Sequence, residues 1–444
     1  MGTVLVGFNS TASNLALASI RDGFAGATTS DVGWGIAGFM IGTAAFLPLA
    51  GRLADRIGRK RIFQLGLALF ALSAVFSAIA PTVWTLNLAR VLQAISGAAI
   101  LPASLSLVLP LFPESRRTTA VGLWSASGPL AAAIAPQVST LVLAVAGWRV
   151  LYFVSAPIAA LLFVVGLRVL RELPTPPMRQ RLDIVGATAG TMALLAIVTP
   201  LMQGKEWGLL SPVALALGGL GVVALAVFVV NSLRHPEPLL NLHLLRRRAV
   251  WTTQLANFLV GISSQSLWLL WPLYLQKVWN YDVAIVGLAL TLGPIAAGFS
   301  TVYFSRLGER WQAIWLCRTG AAMQIASVGW MVLTLGTSPN YWFVMAPSIF
   351  LFGMGWGMCV PLLNSVALKA VPEKFFGEVS GLFNTLRYAA AAVGIGALFA
   401  LLTEDSGPGS LVYYQRALVF FLVAASVGFM SLWIPMDRSN PPRR

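Results

Sequence analysis

The sequence predicts an all-α polytopic membrane protein with fourteen transmembrane helices, arranged six plus two plus six, and both termini cytoplasmic. Three observations carry that expectation. Hydrophobic residues make up 57% of the chain and charged residues 10%, against about 25% charged in a soluble domain. The apolar residues fall into runs near the ~20 residues that a helix rising ~1.5 Å per residue needs to cross hydrocarbon. The cations are one-sided. With alternating spans, all but eight of the 30 Lys and Arg fall on one side; the exceptions are Arg21, Arg149, Lys205, Lys277 and Arg416 opposite, and Arg90, Arg318 and Arg387 inside spans. Basic loops stay cytoplasmic, so the net charge of +15 reads as topology and not as a nucleic-acid footprint.

The first span covers 2–20, already apolar at Val4 with no basic leader or cleavage site before it. The second covers 34–50 and the third 62–80. Between them residues 51–61, GRLADRIGRKR, hold five cations and one carboxylate, Asp55. Gly51 and Gly58 remove side chains where helix ends must approach, and Asp55 beside Arg56 and Arg59 can make charge-assisted bonds that latch and release. The fourth, fifth and sixth spans cover 83–111, 120–146 and 151–170. A Pro-rich basic linker, 172–183, cannot be helical throughout. Two further spans, 184–202 and 212–233, form an inserted pair expected to bridge on the lipid side. After a second polar linker, six spans start near Val250, Ile285, Gln312, Tyr341, Glu378 and Ala417. The expected units are thus a bundle over 1–171, linkers with the inserted pair over 172–249, a second bundle over 250–436 and a cytoplasmic tail over 437–444.

The halves repeat. Arg306 to Arg310 follows the tenth span as Arg56 to Lys60 follows the second, 250 residues apart, with Thr301 and Ser305 where Gly51 and Asp55 stand in the first copy. Halves related by an axis along the membrane normal place a substrate site between them near the midplane.

The 51–61 loop resembles the signature between helices 2 and 3 of the major facilitator superfamily. Residues 88–104, LARVLQAISGAAILPAS, resemble its helix 4 motif; 147–157, GWRVLYFVSAP, and 8–18, FNSTASNLALA, resemble helices 6 and 1 of the fourteen-helix drug:proton antiporters, and 271–276 and 377–387 continue the match. The resemblance implies the superfamily fold and proton-driven export of hydrophobic or cationic small molecules from the cytoplasmic membrane. No cofactor or metal is expected: Cys317 and Cys359 lie in apolar spans, and there is no ligand spacing or phosphate-cradling loop. Protons are candidate partners beside the substrate and the lipid bilayer; the protein is expected to be a monomer, with no nucleic acid and no enzymatic reaction.

An ionisable residue inside a membrane is a functional candidate. The resemblance gives Arg90 a part in proton transfer; a structural tie between helices 4 and 1 is the alternative. Gln93 continues its face. Asn9, Thr11 and Asn14 mark the first span as a cavity wall. In the ninth, Gln254, Asn257, Gln265 and Trp268 recur at steps of three and four, and in the thirteenth Asn384, Arg387 and Tyr388 form another stripe; buried amides in lipid must find partners, so these faces turn inward.

Two departures from the antiporter pattern stand out. Asn9 replaces an Asp, and an amide cannot carry a proton. None of the fifteen carboxylates is placed at midplane; Asp31 and Asp22, near the outer mouth, are the remaining coupling candidates, with solvated loop carboxylates as the alternative. In the fifth span the paired glycines are replaced around Pro136, which weakens an expected close contact. Three function classes follow: an exporter with unusual coupling, a proton-independent facilitator or importer of an organic anion using Arg90 and Arg387, and a non-transporting protein that kept the fold.

Overall fold

Caps and breakers in the sequence set the helix ends. The computed structural model describes residues 2–108, 112–113, 117–170, 172, 182–310, 312–372, 375–402 and 411–435, and among these every regular element is helical. The first six helices are α1 (Gly2–Asp22), α2 (Thr29–Ile57), α3 (Arg59–Ala78), α4 (Val83–Val108), α5 (Arg117–Phe153) and α6 (Ser155–Val169). Then come α7 (Ile184–Met202), the single turn α8 (Gly204–Trp207) and α9 (Pro212–Arg234). The remainder are α10 (Arg248–Lys277), α11 (Val283–Leu290), α12 (Leu292–Arg310), α13 (Ala313–Thr334), α14 (Ala346–Lys369), α15 (Phe376–Leu401) and α16 (Leu411–Ser431).

Eleven helices among the described residues are long and apolar enough to cross a membrane. Of the other expected spans, α6 is apolar but short, and α1 and α13 do not meet that standard of length and hydropathy. Several boundaries move. The second helix extends beyond 34–50 at both ends: Thr28 and Asp31 form a capping box before it, and it continues through Arg52 and Asp55 to Gly58. A hydrophobic window ends where hydrocarbon ends, not where hydrogen bonding does. The sixth expected span, 151–170, is made by the end of α5, which follows a break at Gly147, φ 75, together with α6. Most of the first linker (173–181), the tail at 437–444, and Glu114, Glu373, Glu404, Asp405 and Asp437 lie outside the described residues, as do the side chains at 306 and 308–310.

In the first half α4 packs on α2 and α3, and α1 on α5; in the second α14 packs on α12 and α13, and α10 on α15 and α16. The seam between them is made by α2 against α15, and α5 against α11 and α12. The inserted helices α7 and α9 pack on each other, and α7 reaches both α2 and α15. It therefore covers the seam from outside.

Asp183 holds this pair in place. Its carboxylate, 1% exposed, accepts from Gly186 N at 2.7 Å, Asn231 Nδ2 at 2.8 Å and Leu239 N at 2.9 Å. Burial pushes its pKa up, but these three donors and nearby His235 outweigh burial and hold the group below the usual carboxylate value. The 235–241 linker so fixed receives Arg52 of α2 at the Glu237 carbonyl, 3.0 Å, and at the Pro238 carbonyl. Asn241 donates to Glu378 of α15 at 2.7 Å. One linker thus ties the ends of α2 and α15 together.

A cavity between two bundles as candidate functional site

Between the halves lies a cavity of about 410 Å³, within the range of small-molecule sites. Of the residues singled out in the sequence, Thr11, Asn14, Pro136, Gln265, Trp268, Asn384, Arg387 and Tyr388 line it. Asn9 and Gln93 are buried behind the wall at 1% and 0% exposure. Gln254 is also buried outside it, and Asn257 donates to the Phe383 carbonyl at 2.8 Å, tying α10 to α15.

The sequence reading passed over α14, which adds Trp356 and Asn364 to the wall, and over Ser127 and Thr301. Their signal was weak. Asn364 is an isolated amide on an apolar helix, and Thr301 was noted only as the replacement for a glycine.

Arg387 reaches the cavity from α15 and is the one charged residue among the described residues that line it. Its Nη2 donates to Asn384 Oδ1 at 3.1 Å and its guanidinium carbon lies 5.2 Å from the Tyr388 ring centroid. Nε is buried with no protein acceptor. Arg318, by contrast, donates to the Leu432 carbonyl at 3.1 and 2.9 Å and sits between the Trp315 and Trp433 rings.

Arg90 sits in a buried cluster inside the first bundle, with its Nε lacking a protein acceptor. Its Nη1 donates to Asn9 Oδ1 and Gln93 Oε1, and the guanidinium lies 4.7 Å from the Phe39 ring and 5.5 Å from Tyr152. Asn9 in turn donates to Ser155 at 3.3 Å. Ring faces attract a desolvated cation, so neutral groups solvate Arg90. Neither remaining acid is aimed at it. Asp31 spends one carboxylate oxygen on Thr28 N and Oγ1, both at 2.8 Å, and Asp22 pairs with Arg21 at 2.6 Å with its side chain 64% exposed.

The 51–61 segment is a helix junction. Gly58, at φ 118, is its break, and Asp55 pairs with Arg59 at 3.2 Å across it. Glu172 accepts from Lys60 N at 3.0 Å and Arg61 N at 3.3 Å, capping α3; a Cβ on Gly58 would lie 2.7 Å from the Glu172 carboxyl carbon. Arg56 lies in the last turn of α2. Gly51 differs from expectation: no heavy atom stands within 4 Å of its Cβ position, so it separates no helix ends in this conformation.

Glycines also mark where helices of the two halves approach closely. Gly128 on α5 and Gly377 and Gly381 on α15 are as open as Gly51. By contrast, Gly33 of α2 meets the Phe399 ring of α15, and Gly287 of α11 meets Thr140 of α5. Gln137 donates to Thr291 beside the latter contact. The close approach expected to weaken around Pro136 is therefore kept by a glycine on the opposite helix. Among the described residues, these close glycine contacts across the seam lie away from the Gly58 end.

A multi-pass helical membrane protein with a cavity enclosed between two bundles is a solute carrier by architecture. The chain belongs to the Major Facilitator Superfamily, whose family model matches residues 1–395. It is 27% identical to a methylenomycin A resistance protein of Bacillus subtilis (strain 168), covering 99% of this chain and 93% of the relative. It is 31% identical to a puromycin resistance protein of Streptomyces alboniger, over 89% and 78% of the two chains. A crystal structure of a POT family transporter with 5-aminolevulinic acid superposes with a TM-score of 0.69 at 16% identity, covering 97% of this chain and 94% of that one; this likeness shows the fold. The protein is an integral, multi-pass membrane transporter of a drug-resistance branch and not an enzyme.

Proposed function

We propose that this chain exports amphipathic, predominantly hydrophobic small molecules across the cytoplasmic membrane by alternating access. The single observation that carries the reading is the cavity on the seam, walled by Trp268, Trp356 and Tyr388 with amides between them and with close helix contacts across the seam away from the Gly58 end. The resistance activity in the names of two relatives supports export. The basic residues around Gly58 make that end cytoplasmic, so the state described faces inward. In this reading α1 to α6, α7 with α9, and α10 to α16 give six, two and six spans, α11 and α12 together forming one broken span. Both termini are then cytoplasmic and a monomer is sufficient.

Coupling in this reading does not run through the first helix, because Asn9 cannot release a proton. Arg90 serves as the buried positioning cation of the first bundle. A cationic solute, also expected from the resemblance, meets no carboxylate among the described residues that line the cavity. The same fact favours a second reading, a proton-independent facilitator, over the first only if flux is indifferent to the pH gradient. Proteoliposomes loaded with a labelled neutral amphipathic solute, 4-phenylbutyramide, decide between them: efflux that persists and runs in either direction after the gradient is collapsed identifies the facilitator, efflux that requires it identifies the antiporter, and no flux with this or other amphipathic solutes defeats both.

A further inference from the structure

We infer that the cavity takes amphipathic small molecules bearing an anionic group, with Arg387 as the anchor of that group. The inference rests on the cavity being the transport site and adds the chemical class of what it carries.

Charge is the first argument. Among the described residues Arg387 is the one charged residue lining the wall, and no acid lies beside it there. An uncompensated guanidinium inside a low-dielectric enclosure attracts negative charge and repels cations. Arg318 shows how a membrane Arg in this chain is retired from function: two bonds to a carbonyl and two ring faces. Arg387 has no such arrangement. Asn384 receives one bond, and Nε is buried without an acceptor. A planar fork with donors left over suits a carboxylate, which accepts two parallel bonds.

Geometry supplies the rest. Asn384 holds the guanidinium from its own helix one turn earlier, and Tyr388 lies beneath it, so the fork is positioned before any solute arrives. Gln265 and Trp268 of α10 and Trp356 of α14 line the same cavity, giving an aromatic wall for the apolar part of the solute. Asn364 Oδ1, buried without a protein donor, offers a polar contact away from Arg387.

The test uses three probes of one shape: 4-phenylbutyrate, 4-phenylbutyramide and 4-phenylbutylamine, titrated calorimetrically into the purified full chain. The acid is expected to bind about tenfold or more tighter than the amide, the factor one charge-assisted hydrogen bond supplies, and the amine weakest. Arg387→Gln should erase the preference for the acid while leaving amide affinity in place, and Arg387→Lys should keep part of it. The wild-type comparison stands alone if a variant does not fold. An amine that binds best, an unchanged preference in Arg387→Gln, or no binding by all three overturns the inference. Preference for the acid without flux of 4-phenylbutyrate in proteoliposomes keeps the anion site and removes the transport reading instead.

Discussion

The Arg90 guanidinium donates to the side-chain oxygen of Asn9, so a buried cation on α4 is held by a neutral amide on α1. No ion pair joins Arg90 to an acid among the described residues. Asn9 occupies the place of an acid in geometry without its charge or its proton. A unit of this kind acts as a whole. Removing Asn9 strands a buried guanidinium proton; removing Arg90 strands two amide oxygens and leaves a void beside Phe39 and Tyr152.

We therefore expect Arg90→Leu and Asn9→Leu each to destabilise the protein, and the double variant to cost less than their sum by about 1–3 kcal/mol, the coupling typical of contacting residues. Thermal unfolding of the purified protein in one detergent checks this. Additive effects would show that the bond contributes nothing.

Asn9→Asp should create a proton site beside Arg90 that the wild type lacks. Export in everted vesicles is expected to become dependent on the pH gradient in the variant, read as loss of solute accumulation inside the vesicles on adding an uncoupler. A variant and wild type with identical uncoupler responses would remove Asn9 from any account of coupling.

The two glycines of the α2–α3 junction should separate stability from transport. Gly58→Ala puts a side chain at φ 118 against Glu172, and strain there is worth about 1–3 kcal/mol, so the melting temperature should fall. Gly51→Leu meets open space in this state. It should melt within about 0.5 kcal/mol of wild type, as an unconstrained surface change does, yet lose export if α2 must close on α15 there. An active Gly51→Leu protein would show that this end never closes tightly.

Asp183 makes a pH prediction. Its folded-state pKa is lowered, so its stabilisation is fully present above the unfolded value of ~3.9 and is lost as pH falls through the lower folded value. Asp183→Asn should melt lower at neutral pH by about 1–3 kcal/mol, because an amide NH₂ then faces the backbone donors. The gap should narrow below ~pH 4. A gap independent of pH between 7 and 3 would mean that the charge contributes nothing.

Residues 184–202 were legible in the sequence to the residue, because Asp183 caps one end and polar residues follow the other. The inward faces of α1, α10 and α15 were legible too, since polar side chains at helical spacing stand out on apolar helices. The Asn9–Arg90 bond was not. It joins positions 81 apart in sequence, and only packing decides whether a buried Arg meets water, an acid or an amide. The open surroundings of Gly51 were not legible for a different reason: spacing in a sequence does not say which glycines another helix approaches. Gly287 escaped because it compensates on one helix for glycines missing from another.

The most direct measurement is of rocking itself. Arg61 and Lys369 are exposed at the Gly58 end on opposite halves, and Thr82 and Ser338 at the other end. Spin labels at each pair, in nanodiscs with and without bound 4-phenylbutyrate, give two distance distributions. Alternating access about the cavity requires reciprocal change: a shorter Arg61–Lys369 population accompanied by a longer Thr82–Ser338 population. Distributions that stay single and fixed, or that lengthen together, would contradict it.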